Sequence, residues 1–186
     1  MLRLLSWVLG FYLSLVTSTS VWGGHGPHEH GKAQLNVAID GKTAKIVLWA
    51  PAGSIYGFEY EAKTPKDIKI RDAAVEKLKT QMDQMVIFDV KAACAMTNTN
   101  LQPFVAHRDT HEHKAAGKEK KLTGDHGDVE AEYFVQCQGD PLGGDIKLAL
   151  WKFFPKIEKV VVQTLTAKGA QSSEVTPKKS VVGFPK

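Results

Sequence analysis

All seven histidines of this 186-residue chain fall into two short windows. His25, His28 and His30 stand near the start, and His107, His111, His113 and His126 lie in a polar stretch further on. Imidazole is the commonest protein ligand for zinc, copper and nickel, so histidines gathered in this way read as metal binding. His-Glu-His occurs in both windows, at His28-Glu29-His30 and at His111-Glu112-His113. Two imidazoles separated by one residue can reach a single cation from a turn or an extended segment. His107 and His111 are four apart, which places them on one face of any helix formed there. Zinc takes about four N, O or S donors, so no pair completes a site and a second segment must contribute.

The alternating runs suggest which segment that is. His30 stands two residues before a first strand and His126 two residues before another that begins at Asp128. If the two strands start at the same end of one sheet, their histidines converge. The expected folded site is therefore His28, His30 and His126, completed by Asp128 or Glu59. A looser site of His107, His111 and His113 is expected beside it. Glu29 and Glu112 read as charge-balancing neighbours rather than ligands. Lys118, Lys120 and Lys121 raise the cost of bringing a cation to the loop, which argues for modest affinity there.

The first residues set the compartment. Arg3, the apolar run from Leu4 to Val16, and the small residues Ser18, Ser20, Gly23 and Gly24 make a secretory leader over 1–23, with cleavage between 20 and 24. The apolar run is shorter than the roughly 20 residues that span a bilayer, and no later segment is longer, so no membrane insertion is expected after cleavage. The remaining chain, 24–186, is enough for one domain. The full sequence's 24 Lys and Arg against 20 Asp and Glu become 23 against 20 once Arg3 is removed. Interleaved signs at that balance give no case for nucleic acid. Cys94 and Cys137 are an even pair in an exported protein, so a disulfide is the default. On the chain-entropy model it is worth about 4 kcal/mol. The second-window histidines all lie between the two cysteines, so the crosslink is expected to fasten the base of a His-bearing loop.

The elements that must position these residues follow from periodicity. Ala33, Leu35, Val37 and Ile39 alternate with polar residues, then Asp40-Gly41 precedes a second alternation through Ala44, Ile46, Leu48 and Ala50. That is a β-hairpin. Thr64 as N-cap and Pro65 in the first turn predict an amphipathic helix from Pro65 to about Gln84, its apolar face formed by Val75, Leu78, Met82 and Met85. Methionines at that spacing are core rather than soft-metal ligands. Strand character resumes from Val86 to Met96. The stretch 98–127 is polar, contains Pro103, Gly117 and Gly124, and reads as a long, mobile, His-rich loop with a functional role. Val129, Ala131, Tyr133, Val135 and Cys137 alternate on the strand from Asp128. Further strands are expected at 145–150, 159–166 and 180–184, with a compact aromatic segment at Trp151 to Phe154. The fold class is α+β: a single domain dominated by antiparallel sheet, with one helix packed on a face.

Other chemistries are less well served. A mature chain starting at Gly24 offers its amine and His25 to Cu(II), with His28 and His30 as further donors, and a start at Gly23 creates the copper and nickel motif Gly-Gly-His. A non-metal envelope or adhesion module is a second alternative. No His-Glu-x-x-His motif and no serine or cysteine nucleophile arrangement is present, and paired cysteines leave no thiol, so no enzyme is expected.

A wider pattern joins these pieces. His28-Glu29-His30-Gly31, Pro51-Ala52, Gly57-Phe58-Glu59, Ala93-Cys94, His126-Gly127-Asp128, Glu130-Ala131-Glu132-Tyr133 and Cys137 occur in order, and Phe153-Phe154-Pro155 and Val160-Val161-Val162-Gln163 follow them. In this the chain resembles the zinc-regulated, His-rich periplasmic proteins of Gram-negative bacteria, a domain long labelled as of unknown function. The resemblance covers nearly all of the mature chain. It implies a periplasmic protein that captures, buffers or delivers Zn(II), beside an ABC-type zinc importer. Capture by neutral imidazoles implies release on acidification, as protonation competes near the ordinary imidazole pKa of about 6.5.

Overall fold

The computed structural model describes residues 29–107 and 126–185. The leader expected over 1–23 and the histidines at His25, His28, His111 and His113 lie outside the described residues. Along the chain, β1 (Lys32–Asp40) and β2 (Thr43–Pro51) form the expected hairpin, turning at Gly41, whose φ of +55° suits glycine. A single turn, α1 (Ala52–Ile55), precedes the main helix α2 (Pro65–Thr80). A further turn, α3 (Met82–Met85), enters the short strand β3 (Val86–Ile87). Strands β4 (Cys94–His107) and β5 (His126–Cys137) make a long antiparallel pair. The chain ends through β6 (Ile146–Leu148), β7 (Lys159–Thr166), β8 (Gly169–Val175) and β9 (Val181–Val182).

Six strands form one sheet in the order β4-β5-β2-β1-β7-β8, and β3-β6-β9 form a small second sheet. All pairs are antiparallel except β1 with β7. One face of the large sheet carries the alternating apolar residues, among them Leu35, Val37, Ile46, Leu48, Tyr133 and Val162, all buried against Leu78, Met82, Met85, Ile146 and Leu148. Each such side chain contributes about 1.5–3 kcal/mol when removed from water. Tyr133 adds direction to this packing: its buried hydroxyl donates to the Leu78 carbonyl at 2.9 Å, tying β5 to α2. Burial drives the Tyr133 hydroxyl pKa far above its ordinary value, so it stays a donor.

Several expectations are corrected. The predicted helix to about Gln84 ends at Thr80, because Gln81 leaves helical geometry at φ −128°, ψ 16°. The break hands the chain to β3 while Met82 and Met85 still reach the core. Thr64 caps α2 as expected, accepting from the Asp67 amide at 3.1 Å. The strand read over Val86 to Met96 is split by a 3-10 turn, Val90–Ala92. The polar strand β8 has no counterpart in the sequence reading, since an exposed edge strand carries little apolar alternation.

The loop read over 98–127 is corrected at both ends. Residues 98–107 extend β4 and 126–127 begin β5, while 108–125 lie outside the described residues. An edge strand with a mostly exposed surface needs no apolar alternation, and its Pro103 sits at a register shift between Gln102 and Val105 where no ladder bond is lost. The disulfide Cys94–Cys137 is present, but the two cysteines face each other at one end of the β4–β5 ladder and His107 faces His126 at the other. The crosslink therefore does not sit at the base of the His-bearing segment.

Candidate metal centre

Topology decides what meets at the histidine end. β2 is antiparallel to both of its neighbours, so β1 and β5 run in the same direction and start at the same end of the sheet. β7, parallel to β1, starts there too, and β2 ends there. His30 leads into β1, His126 opens β5, and the chain leaving β2 through α1 brings in Glu59. The shared starting end of β1 and β5 is the condition on which His30 and His126 can meet, and it holds.

Their meeting point is the Glu59 carboxylate. His30 Nδ1 lies 2.8 Å from Glu59 Oε1, and His126 Nδ1 lies 2.5 Å from Glu59 Oε2. One carboxylate thus engages two imidazoles from separate strands. His30 is 80% exposed, His126 45% and Glu59 23%, so the group is open to an arriving ion. A cleft of about 400 Å³ adjoins it, lined by His30, Ser54, Glu59, Lys156 and Glu158 with Gly31, Gly53 and Gly57. A slightly larger hollow of about 430 Å³ between β1, β7 and β8 is lined by Asn36, Gln163, Leu165 and Gln171 among others, with no titratable side chain, and takes no part in this chemistry.

Local sequence holds each member in place. The aromatics of Tyr56-Gly57-Phe58-Glu59-Tyr60 form a ladder, with centroids 5.7 Å apart for Tyr56 and Phe58 and 4.9 Å for Phe58 and Tyr60. Tyr56 anchors it by donating to the Pro103 carbonyl at 2.8 Å. Glu59 lies between the stacked rings of Phe58 and Tyr60 in the chain and reaches the two histidines. Gly53 leaves room for it, since a Cβ there would lie 2.9 Å from the Glu59 side chain. After His30, Gly31 turns the chain at φ +78°, its amide donates to Ser54 Oγ at 3.3 Å and its carbonyl accepts from the Glu158 amide at 2.7 Å. After His126, the space where Gly127 would carry a Cβ is filled by the Phe104 ring.

Glu29 has charged partners of its own. Its carboxylate pairs with Lys159 at 3.2 Å and Lys32 at 3.3 Å, and these two ammonium groups, Lys159 foremost, hold its pKa below the ordinary value. Asp128 is buried within β5, opposite Pro51 on one side and Val105 on the other. The backbone register sets His107 directly across from His126. The sequence reading passed over Ser54, Lys156 and Glu158, which share the cleft. For Glu158 a signal was present: like His30 and His126, it stands at or within two residues of the start of a strand that begins at this end.

Among the described residues no group of three or more His, Cys, Asp or Glu is disposed to hold a metal as it stands. A tetrahedral zinc with bonds of about 2.0–2.2 Å sets its donors about 3.3 Å apart. Here the imidazoles and carboxylate are drawn closer than that by hydrogen bonds to one another, and an ion must part them.

The family known as ZrgA family zinc uptake protein matches the chain over residues 27–184. The chain belongs to that family. Zinc uptake is therefore the process it serves, and the match spans every element of the fold and all three members of the His30, Glu59 and His126 group. Among curated proteins, none matches the chain. No helix among the described residues is long and apolar enough to cross a membrane.

Proposed function

We propose that this chain binds Zn(II) directly, with His30, Glu59 and His126 as the core of the site, and that it carries zinc in the periplasm to an ABC-type importer. The observation that supports this most is the single Glu59 carboxylate engaging imidazoles from two strand starts that are far apart in sequence. Such a group presents two neutral nitrogen donors and one anionic oxygen, a donor set suited to zinc. An imidazole donating its Nδ1 proton to Glu59 must move that proton to Nε2, or release it, before Nδ1 can bind. Zinc thus replaces hydrogen bonds that already hold the ligands together, and little ordering remains to be done when it arrives.

Release uses the same exchange in reverse. Protons compete with the ion for imidazole nitrogen, so acid opposes binding. The ion is cargo, handled without chemistry being done on another substrate. Calorimetric titration of zinc into the mature, oxidised protein tests this reading, with a His30→Ala/His126→Ala variant alongside. Binding that is lost in the variant is the expected result. Equal binding by both proteins, or none by either, overturns it.

A further inference from the structure

We infer that Glu158 is a further zinc ligand, brought to the site by a third strand start; this rests on the proposed zinc site at His30, Glu59 and His126. Three observations support it. The parallel pairing of β1 and β7 begins at Lys32 and Lys159, which sets Glu158 beside Gly31, the residue next to His30. The Glu158 amide donates to the Gly31 carbonyl at 2.7 Å, and its side-chain Cγ and Cδ lie 3.2 Å from where a Gly31 Cβ would stand. Glu158 also lines the same cleft as His30 and Glu59. Its carboxylate thus lies over the backbone at the site.

The chemistry of the donor set calls for such a residue. His30, Glu59 and His126 supply three donors where zinc takes about four, and a second carboxylate completes that number. Charge argues the same way: two neutral imidazoles and one carboxylate leave a dication with one uncompensated positive charge, which Glu158 neutralises. Among the described residues, the other charged side chain lining the cleft is Lys156, whose ammonium lies 3.5 Å from the Gly57 carbonyl. Glu158 is exposed, and among the described residues no ion pair holds its carboxylate away from the metal.

The test compares zinc affinity, by competition with a chromophoric chelator, in the wild-type protein, E158Q, E29Q and the His30→Ala/His126→Ala variant. Cobalt(II) absorption spectra of the first three report the ligand set. E158Q is expected to bind zinc about 10–100-fold more weakly, the scale on which metal sites respond to losing a supporting group, with altered cobalt bands. E29Q, which removes the same charge nearby, is expected to match wild type in both readouts. Zinc affinity within about twofold of wild type in E158Q overturns the inference, as does a weakened E158Q whose cobalt spectrum is unchanged. If the double histidine variant binds as wild type does, the underlying site fails as well, whereas loss there with E158Q intact removes Glu158 alone.

Discussion

The two ends of the β4–β5 ladder hold the protein together by opposite means. At one end Cys94 and Cys137 are covalently joined, Cys137 is buried, and backbone bonds close around them: Cys137 N to Lys42 O at 2.8 Å and Gly139 N to Ala92 O at 2.9 Å. At the other end, roughly 35–40 Å away at about 3.3 Å per residue, His30, Glu59 and His126 are open to solvent and joined only by contacts that an ion can replace. The contrast explains how a small sheet domain keeps its shape while its ligands exchange partners. Permanent bonds stand where nothing has to change, and strand direction alone brings the exchangeable groups together. Removing either kind of bond should therefore damage one property and spare the other.

The largest effect is expected at the closed end. Replacing both cysteines by alanine frees a segment of sequence separation 43, which costs about 4 kcal/mol on the chain-entropy model. Urea unfolding measures that loss. Zinc affinity under native conditions should stay within about twofold of wild type, since no site residue touches the bridge. A parallel fall in affinity would mean that the ends are coupled through the ladder and would undo the comparison.

Gly127→Ala sharpens it from the other side. The added methyl meets the Phe104 ring between His126 and Asp128, and overpacking of this kind costs about 1–3 kcal/mol. Because the ring or the strand start must move, zinc binding should weaken along with stability. Gly143→Ala, with open space around the added carbon, is the control and should change neither. Zinc binding untouched in a destabilised Gly127→Ala protein would show that His126 is not held by the Phe104 contact.

How much of this was legible in the sequence follows the same division. Period-two alternation marked where β1 and β5 begin, because burying one face of a sheet enforces the pattern; that both begin at the same end, so that His30 and His126 meet, follows from the strand order. Counting cysteines anticipated the disulfide. Its distance from the histidines was not legible, because that depends on the length of β4, and residues 98–107 lie on an exposed edge where polar side chains cost nothing. The polar strand β8 escaped for the same reason. Glu158 is one of 20 acidic residues, and only the parallel pairing of β7 with β1 brings it beside His30. Local periodicity reports burial, whereas partners across a sheet depend on strand order.

The smallest effect is expected from Glu29, and it distinguishes being near the site from belonging to it. Glu29 sits one residue before His30, yet its carboxylate is committed to Lys159 and Lys32, and those pairs lower its pKa from the ordinary 4.5. A carboxylate with a lowered native pKa contributes stability above its unfolded value and loses it as the pH falls through the native value. Fully exposed, it contributes little, and less in salt. Unfolding of wild type and Glu29→Gln compared from neutral to acid pH should show a small, constant gap above about 4.5 that closes below it, while zinc affinity at neutral pH is the same in both. A clear loss of zinc binding in Glu29→Gln would instead place the charge of Glu29 in the site, and the boundary between the ion-pair network and the metal centre would have to move to include it.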